Sequence, residues 1–460
     1  MSADSYTPQS GDAGIRVEHY DLELDYRVTT NRLSGTATIR GRAAVPIRTM
    51  SLDLITLRAS RVRVTGDKGA TFRQTDRKLR ISFGGPLAAG EPFEVTITYA
   101  GAPRPRRSRW GTIGWEELED GVLVASQPTG APTWFPCNDV PSDKATYRLA
   151  FTTDALYSVS ATGRRTGRAS RAGRTTWTFE QDAPTPTYLV AVQVGRYVTE
   201  PLTLDMVAGE LSYPPAIAAR VHADFEPLPR MMALYQRLFG PYPQEGYTVV
   251  VTEDALEIPL ESQGAAVFGS NHIDGIGGLE RLIAHELAHQ WFGNSVGLAG
   301  WQHIWLNEGF ACYAEWLWSE ADGGPTADAR ARQHHARIAL LPRDLVVSDP
   351  GPDRMFDDRV YKRGALALHA LRSTVGDGVF FTILREWTAR FRYGIASTAD
   401  FTALAERVAG VPLADLFRIW LDEPALPPLP DGPKTGRAAA IAERVLDATA
   451  PRLRPRRPRD

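Results

Sequence analysis

Two histidines four residues apart, His285 and His289, and a glutamate separated from the second by eighteen intervening residues, Glu308, constrain this chain more tightly than anything else in its 460 residues. On a helix, positions four apart project from one face about one turn from each other, so both imidazoles can reach one ion. Two histidines and a carboxylate fill three of the roughly four positions zinc takes and leave one for water. One Zn²⁺ per chain is therefore expected, held by His285, His289 and Glu308. Glu286 points to the same side but is offset from the ligand line, and it is placed to take a proton from water that zinc brings to a pKa near 7. Leu279, Leu282 and Ile283 lead into the motif at helical spacing and Gly293 follows it, which describes a buried amphipathic helix. Residues 306–321 read as a second helix carrying Glu308. Burying two histidines and two carboxylates together without a cation is costly.

The length calls for two or three domains. A 43% hydrophobic and 23% charged composition is that of an ordinary soluble protein, and a net charge of −2 gives no electrostatic case for a nucleic-acid or membrane partner. No apolar run approaches the roughly 20 residues of a membrane helix. The polar start, Met1-Ser-Ala-Asp-Ser-Tyr, lacks the pattern of a secretory signal. Two cysteines, Cys137 and Cys312, are too few for a disulfide framework, so a cytoplasmic location is expected. Cys312, four residues past Glu308, is read as a small buried apolar residue.

From about residue 15 to 205 short runs alternate apolar with polar residues: Leu22, Leu24, Tyr26, Val28; Leu79, Ile81, Phe83; Phe93, Val95, Ile97, Tyr99; Tyr147, Leu149, Phe151. Turn-forming residues separate them, predicting a large antiparallel, sandwich-like β domain over 1–205. Beyond 206 the period lengthens: helices are predicted over 227–239, 362–375 and 400–409, with one β run at 247–252, giving a mostly helical second domain over 206–425. Residues 426–460 read as a Pro-rich linker and a flexible basic tail.

The motif and its setting resemble the gluzincin aminopeptidases, the family of aminopeptidase N and leukotriene hydrolase. The resemblance rests on His285-Glu286-Leu-Ala-His289 with Glu308 in Trp-Leu-Asn-Glu-Gly-Phe-Ala, on Tyr361 in Val-Tyr-Lys-Arg-Gly-Ala, and on Val17-Glu-His-Tyr-Asp-Leu and Trp134-Phe-Pro-Cys-Asn-Asp-Val-Pro-Ser-Asp-Lys-Ala in the β domain. It covers residues 15–425 and implies a thermolysin-like catalytic domain. It also implies that Tyr361 donates a hydrogen bond to the developing oxyanion. Glu315, two turns after Glu308, is a candidate to accept the second imidazole N–H of a ligand histidine. Glu261 stands at the glutamate of the family's Gly-x-Met-Glu-Asn segment and Gln127 at a second substrate-binding position, together expected to hold a substrate's amino group; Glu257 competes with Glu261.

The chain departs from the family at Ile258, Pro259, Leu260 and Ser262, at Arg363, which replaces a lysine, and at Pro132, where an arginine often stands. The family's carboxy-terminal helical domain is expected to be missing, leaving a more open cleft that admits longer peptides or needs a partner subunit. The expected function is a zinc aminopeptidase acting on peptides with a free amino terminus. The alternatives are a zinc endopeptidase with an open cleft and a non-catalytic scaffold on the same fold. His272, His303, His334, His335 and His369 lack a paired acid at useful spacing and are assigned no role. The preferred terminal residue and the oligomeric state are not encoded in any motif.

Overall fold

The computed structural model describes residues 4–431, so of the linker and basic tail expected over 426–460 all but 426–431 lies outside the described residues. The amino-terminal domain is built on a seven-stranded sheet of β1 (Ile15–Arg27), β2 (Arg32–Ala43), β3 (Arg58–Val64), β4 (Pro92–Gly101), β5 (Lys144–Asp154), β6 (Arg164–Arg171) and β7 (Arg174–Pro186), in the order β6-β7-β5-β1-β2-β4-β3. Alternation selects its buried face, with one phase change in β1. Ile15 and Val17 are buried, then Tyr20, Leu22, Leu24 and Tyr26, because the register with β2 shifts between Val17 and His19. Such a bulge swaps which parity faces the core. A five-stranded sheet and a three-stranded sheet complete the domain. Trp115, Val122 and Val192 from the former share one core with Leu22 and Phe151, which gives the expected sandwich. The pairing is not wholly antiparallel: β1 runs parallel to β5, His19 facing Thr146.

The expected break at residue 205 falls inside a hairpin. β8 (Val198–Leu204) and β9 (Val207–Tyr213) join β10 (Gly246–Val251), β11 (Leu260–Ser262) and β12 (Ala265–Phe268) in a mixed sheet of order β8-β9-β10-β12-β11. The second domain therefore takes in Val198–Tyr213; its main sheet has four strands beyond the single run expected at 247–252, and Gly297–Leu298 pairs with Ile395–Ala396 in a further two-stranded sheet. Its helices are α1 (Ala218–Phe225), α2 (Leu228–Phe239), α3 (Glu280–Ala288), α4 (Trp305–Ala321), α5 (Ala327–Ile338), α6 (Asp358–Val375), α7 (Asp377–Arg390), α8 (Thr398–Ala409) and α9 (Ala414–Phe417). α6 starts four residues earlier than its pattern suggested because the Asp357 side chain accepts from the Arg359 N–H and caps the helix there. α8 begins at a Ser397–Asp400 capping box and stops at Gly410 in the left-handed region.

Two glycines set the closest approach of α4 to α6. A Cβ built on Gly309 would lie 2.9 Å from Gly364 Cα, and one on Gly364 3.0 Å from Gly309 Cα. Backbone thus packs on backbone at this crossing, next to Glu308 on one helix and three residues from Tyr361 on the other. No helix among the described residues is long and apolar enough to cross a membrane.

Candidate metal centre and active site

α3 ends in the sequence that presents both imidazoles. His285 lies on its last turn and His289 is its C-cap, still in helical conformation, so the four-residue spacing holds both rings on one side. Their centroids stand 4.7 Å apart at 81°. Glu308, in the first turn of α4, brings Oε2 to 3.5 Å from Nε2 of each histidine. Donors around a four-coordinate ion with bonds of about 2.0–2.1 Å stand roughly 3.3 Å apart, so this triangle fits zinc. Each imidazole is oriented by its other nitrogen: His285 Nδ1 is 2.8 Å from Glu315 Oε1, and His289 Nδ1 is 3.1 Å from the Phe292 carbonyl. Glu315 therefore takes the place expected of it, and Arg281 lies 3.6 Å from its other oxygen. Such outer partners fix the tautomer that leaves Nε2 for a metal.

The electrostatics point the same way. Burial opposes a charged imidazole, yet Glu308 and Glu315 push His285 up to about 10, and Glu308 with Glu261 pushes His289 up to about 9. Burial would raise the Glu308 carboxyl, but His289 and His285 hold it down at about 2. A buried site that favours positive charge against desolvation is suited to a cation. Burial pushes Glu286 up to about 7 against the pull of the two histidines, and its Oε2 has no hydrogen-bond partner among the described residues. That oxygen is free to exchange a proton with something bound in the site.

Tyr361, in the first turn of α6, lies nearly parallel to His285 with centroids 6.3 Å apart. Burial, then Glu308, Glu261 and Glu286, hold its phenol well above its ordinary range, so it stays a hydrogen-bond donor. Glu261, on the edge strand β11, accepts a 2.7 Å hydrogen bond from Gln127 Nε2 of the amino-terminal domain. A ligand atom of Glu261 also lies within 4.8 Å of those of Glu286 and His289. The seven residues singled out in the sequence thus converge on one place. Glu257 is exposed and belongs to neither donor cluster found among the described residues. Cys312 is buried with Sγ 3.3 Å from Lys362 Nζ and is outside the donor set. Arg363 does not face the site: it donates to the carbonyls of Ile419, Trp420, Glu423, Pro424 and Ala425, fastening α6 to the end of the domain. The unassigned histidines have structural partners, as His369 does in Tyr313 and Asp328 and His334 in the face of Trp316.

Two residues escaped sequence reasoning. Tyr188 and Tyr247 are buried, and the Tyr247 hydroxyl lacks a hydrogen-bond partner among the described residues. Burial raises both phenols, with Glu261 adding to the effect at Tyr188 and Glu286 at Tyr247. Neither lies in a motif; the sequence signal is a tyrosine at the start of an apolar run.

Known proteins resemble this chain. The family model of the Peptidase M1 N-terminal domain matches residues 16–189, and that of the Peptidase family M1 domain matches residues 225–420. The M1 zinc metallopeptidase of Deinococcus radiodurans superposes with a TM-score of 0.84 at 33% identity, over 94% of this chain and 100% of that one. The chain belongs to peptidase family M1. Among M1 relatives, rice aminopeptidase M1-A is 28% identical over 76% of this chain and 43% of its own length. Human glutamyl aminopeptidase is 25% identical over 89% of this chain and 47% of its own. This M1 chain spans about half the length of such curated relatives, whereas it covers the whole of the Deinococcus radiodurans chain.

Proposed function

We propose that this M1 chain is a zinc-dependent aminopeptidase that removes terminal residues from peptides with a free amino group. The observation that carries the reading is the Gln127–Glu261 hydrogen bond, which sets two acceptors beside the His285, His289 and Glu308 triangle. With Gln127 Nε2 spent on Glu261 Oε1, the Gln127 carbonyl oxygen and Glu261 Oε2 remain to accept N–H bonds from a terminal ammonium. One zinc per chain, held by His285, His289 and Glu308, supplies Lewis acidity toward water and the scissile carbonyl. Glu286 Oε2 accepts the proton released by the attacking water and returns it to the departing amine. The Tyr361 hydroxyl donates to the carbonyl oxygen as negative charge develops there.

Structures of variants of the neighbouring M1 zinc metallopeptidases bound to a Tyr-Ser-Ala substrate and to L-arginine support a peptide substrate entering by its terminal residue. We also place the chain in a reducing, cytoplasmic setting, which suits two buried and unpaired cysteines. The test compares a tripeptide with its amino-acetylated form, with and without chelator. The free peptide should be cleaved, the acetylated one spared, and activity lost on chelation and regained with zinc. Equal cleavage of both peptides would instead establish an endopeptidase.

A further inference from the structure

The loop after α3 is held from the other domain. Residues 290–296 fold back under the helix end: the Asn294 N–H donates to the His289 carbonyl at 3.0 Å, and the Phe292 carbonyl lies 3.1 Å from His289 Nδ1. Lys144, the first residue of β5, reaches across and donates its Nζ to the carbonyls of Ser295 at 2.9 Å, Asn294 at 3.0 Å and Gly394 at 3.2 Å. Gly394 also accepts the Gly297 N–H at 3.0 Å, so the ammonium ties both sides of this small bridge. Among the described residues no carboxylate forms an ion pair with Lys144, and removal from water lowers it to about 7. Placing a cation there without an anion is an expensive way to fill space, and three carbonyl acceptors are what the position gains.

We propose that Lys144 is a positioning residue for the metal centre, fixing from the amino-terminal domain the loop that orients His289. It touches neither metal nor substrate, and the inference rests on the reading of His285, His289 and Glu308 as zinc ligands. Outer partners of ligating histidines commonly change metal affinity by about 10–100-fold. Lys144 acts one link further out through two hydrogen bonds, and the lower end of that range is expected.

The test is the zinc dissociation constant of the full chain, measured by competition with a chromophoric chelator. Lys144→Met keeps the length of the side chain and removes the donors; zinc should bind about tenfold more weakly. Leu149→Ala, a buried change in the same strand away from the loop, should lower thermal stability while leaving the zinc constant at the parent value. Should Lys144→Met fail to fold, Gly297→Ala tests the same contact, because its Cβ would sit 3.2 Å from Nζ and 3.4 Å from the Gly394 carbonyl oxygen, pressing on that hydrogen bond while keeping the charge. The cobalt-substituted Gly297→Ala protein should show a shifted visible absorption with weaker metal retention. Parent-like zinc affinity in either Lys144→Met or Gly297→Ala overturns the proposal, as does an equal loss in Leu149→Ala. A parent chain that takes up no zinc overturns the ligand reading itself, a result visible before any variant is made.

Discussion

Gly364→Ala tests whether the spacing of α4 and α6 sets the chemistry. The added Cβ would lie 3.0 Å from Gly309 Cα and 3.5 Å from the Trp305 ring. Carbon atoms settle at about 3.5–4.0 Å, so the helices must part by roughly 0.5–1 Å. Overpacking of this kind costs about 1–3 kcal/mol, and replacing glycine by alanine within a helix returns up to about 1 kcal/mol. The net loss of stability is therefore small, on the order of 0–2 kcal/mol, and the protein should fold. The site has less tolerance, because Glu308 rides on α4 and Tyr361 on α6. Misplacement by about 1 Å can cost on the order of 10²-fold in rate, so kcat on an aminoacyl anilide should fall by about 10–100-fold. KM should change little, since Gln127 and Glu261 lie on neither helix. Steady-state kinetics, thermal melting and zinc content on one preparation separate the terms. A variant with kcat within about twofold of the parent would show that the close crossing serves packing alone.

Three further outcomes follow from the geometry. Glu286→Gln should retain zinc and lose at least about 10²-fold in kcat, because it keeps the shape and removes the proton acceptor; metal analysis beside single-turnover kinetics checks this, and loss of the metal would reassign Glu286. Tyr361→Phe should lower kcat by about 10²–10³-fold with KM near the parent value, and a change confined to KM would argue against an oxyanion donor. Arg363→Met should cost about 3 kcal/mol or more in denaturant unfolding, since it leaves the carbonyls of the 419–425 segment without their charged donor. A loss below about 1 kcal/mol would show that this segment is held by other contacts.

The metal triangle was legible because its information is local. His285 and His289 are placed by one helical turn, and Glu308 needs only a second helix nearby. Tyr361, Glu261 and Gln127 carry no such spacing and came from family resemblance; the structure then supplies the hydrogen bond and ring contact that join them to the centre. Alternation told which faces of the strands are buried but not which strand lies beside which. The parallel neighbourhood of β1 and β5, separated by more than a hundred residues, was therefore missed, as was the transfer of β8 and β9 to the catalytic sheet. Lys144 was unreadable for a related reason: its partners are main-chain carbonyls, which no side-chain pattern announces.

Gln127 follows a strand of the first domain and Glu261 lies on the border strand of the second, joined by a single contact. On the proposed reading, sensitivity to a substrate's terminus would belong to a seam and to neither half. If Gln127 and Glu261 hold the terminal amine as proposed, slackening that seam would erode end-recognition first, turning a trimming tool into an indiscriminate cutter while the proposed hydrolytic machinery stayed whole.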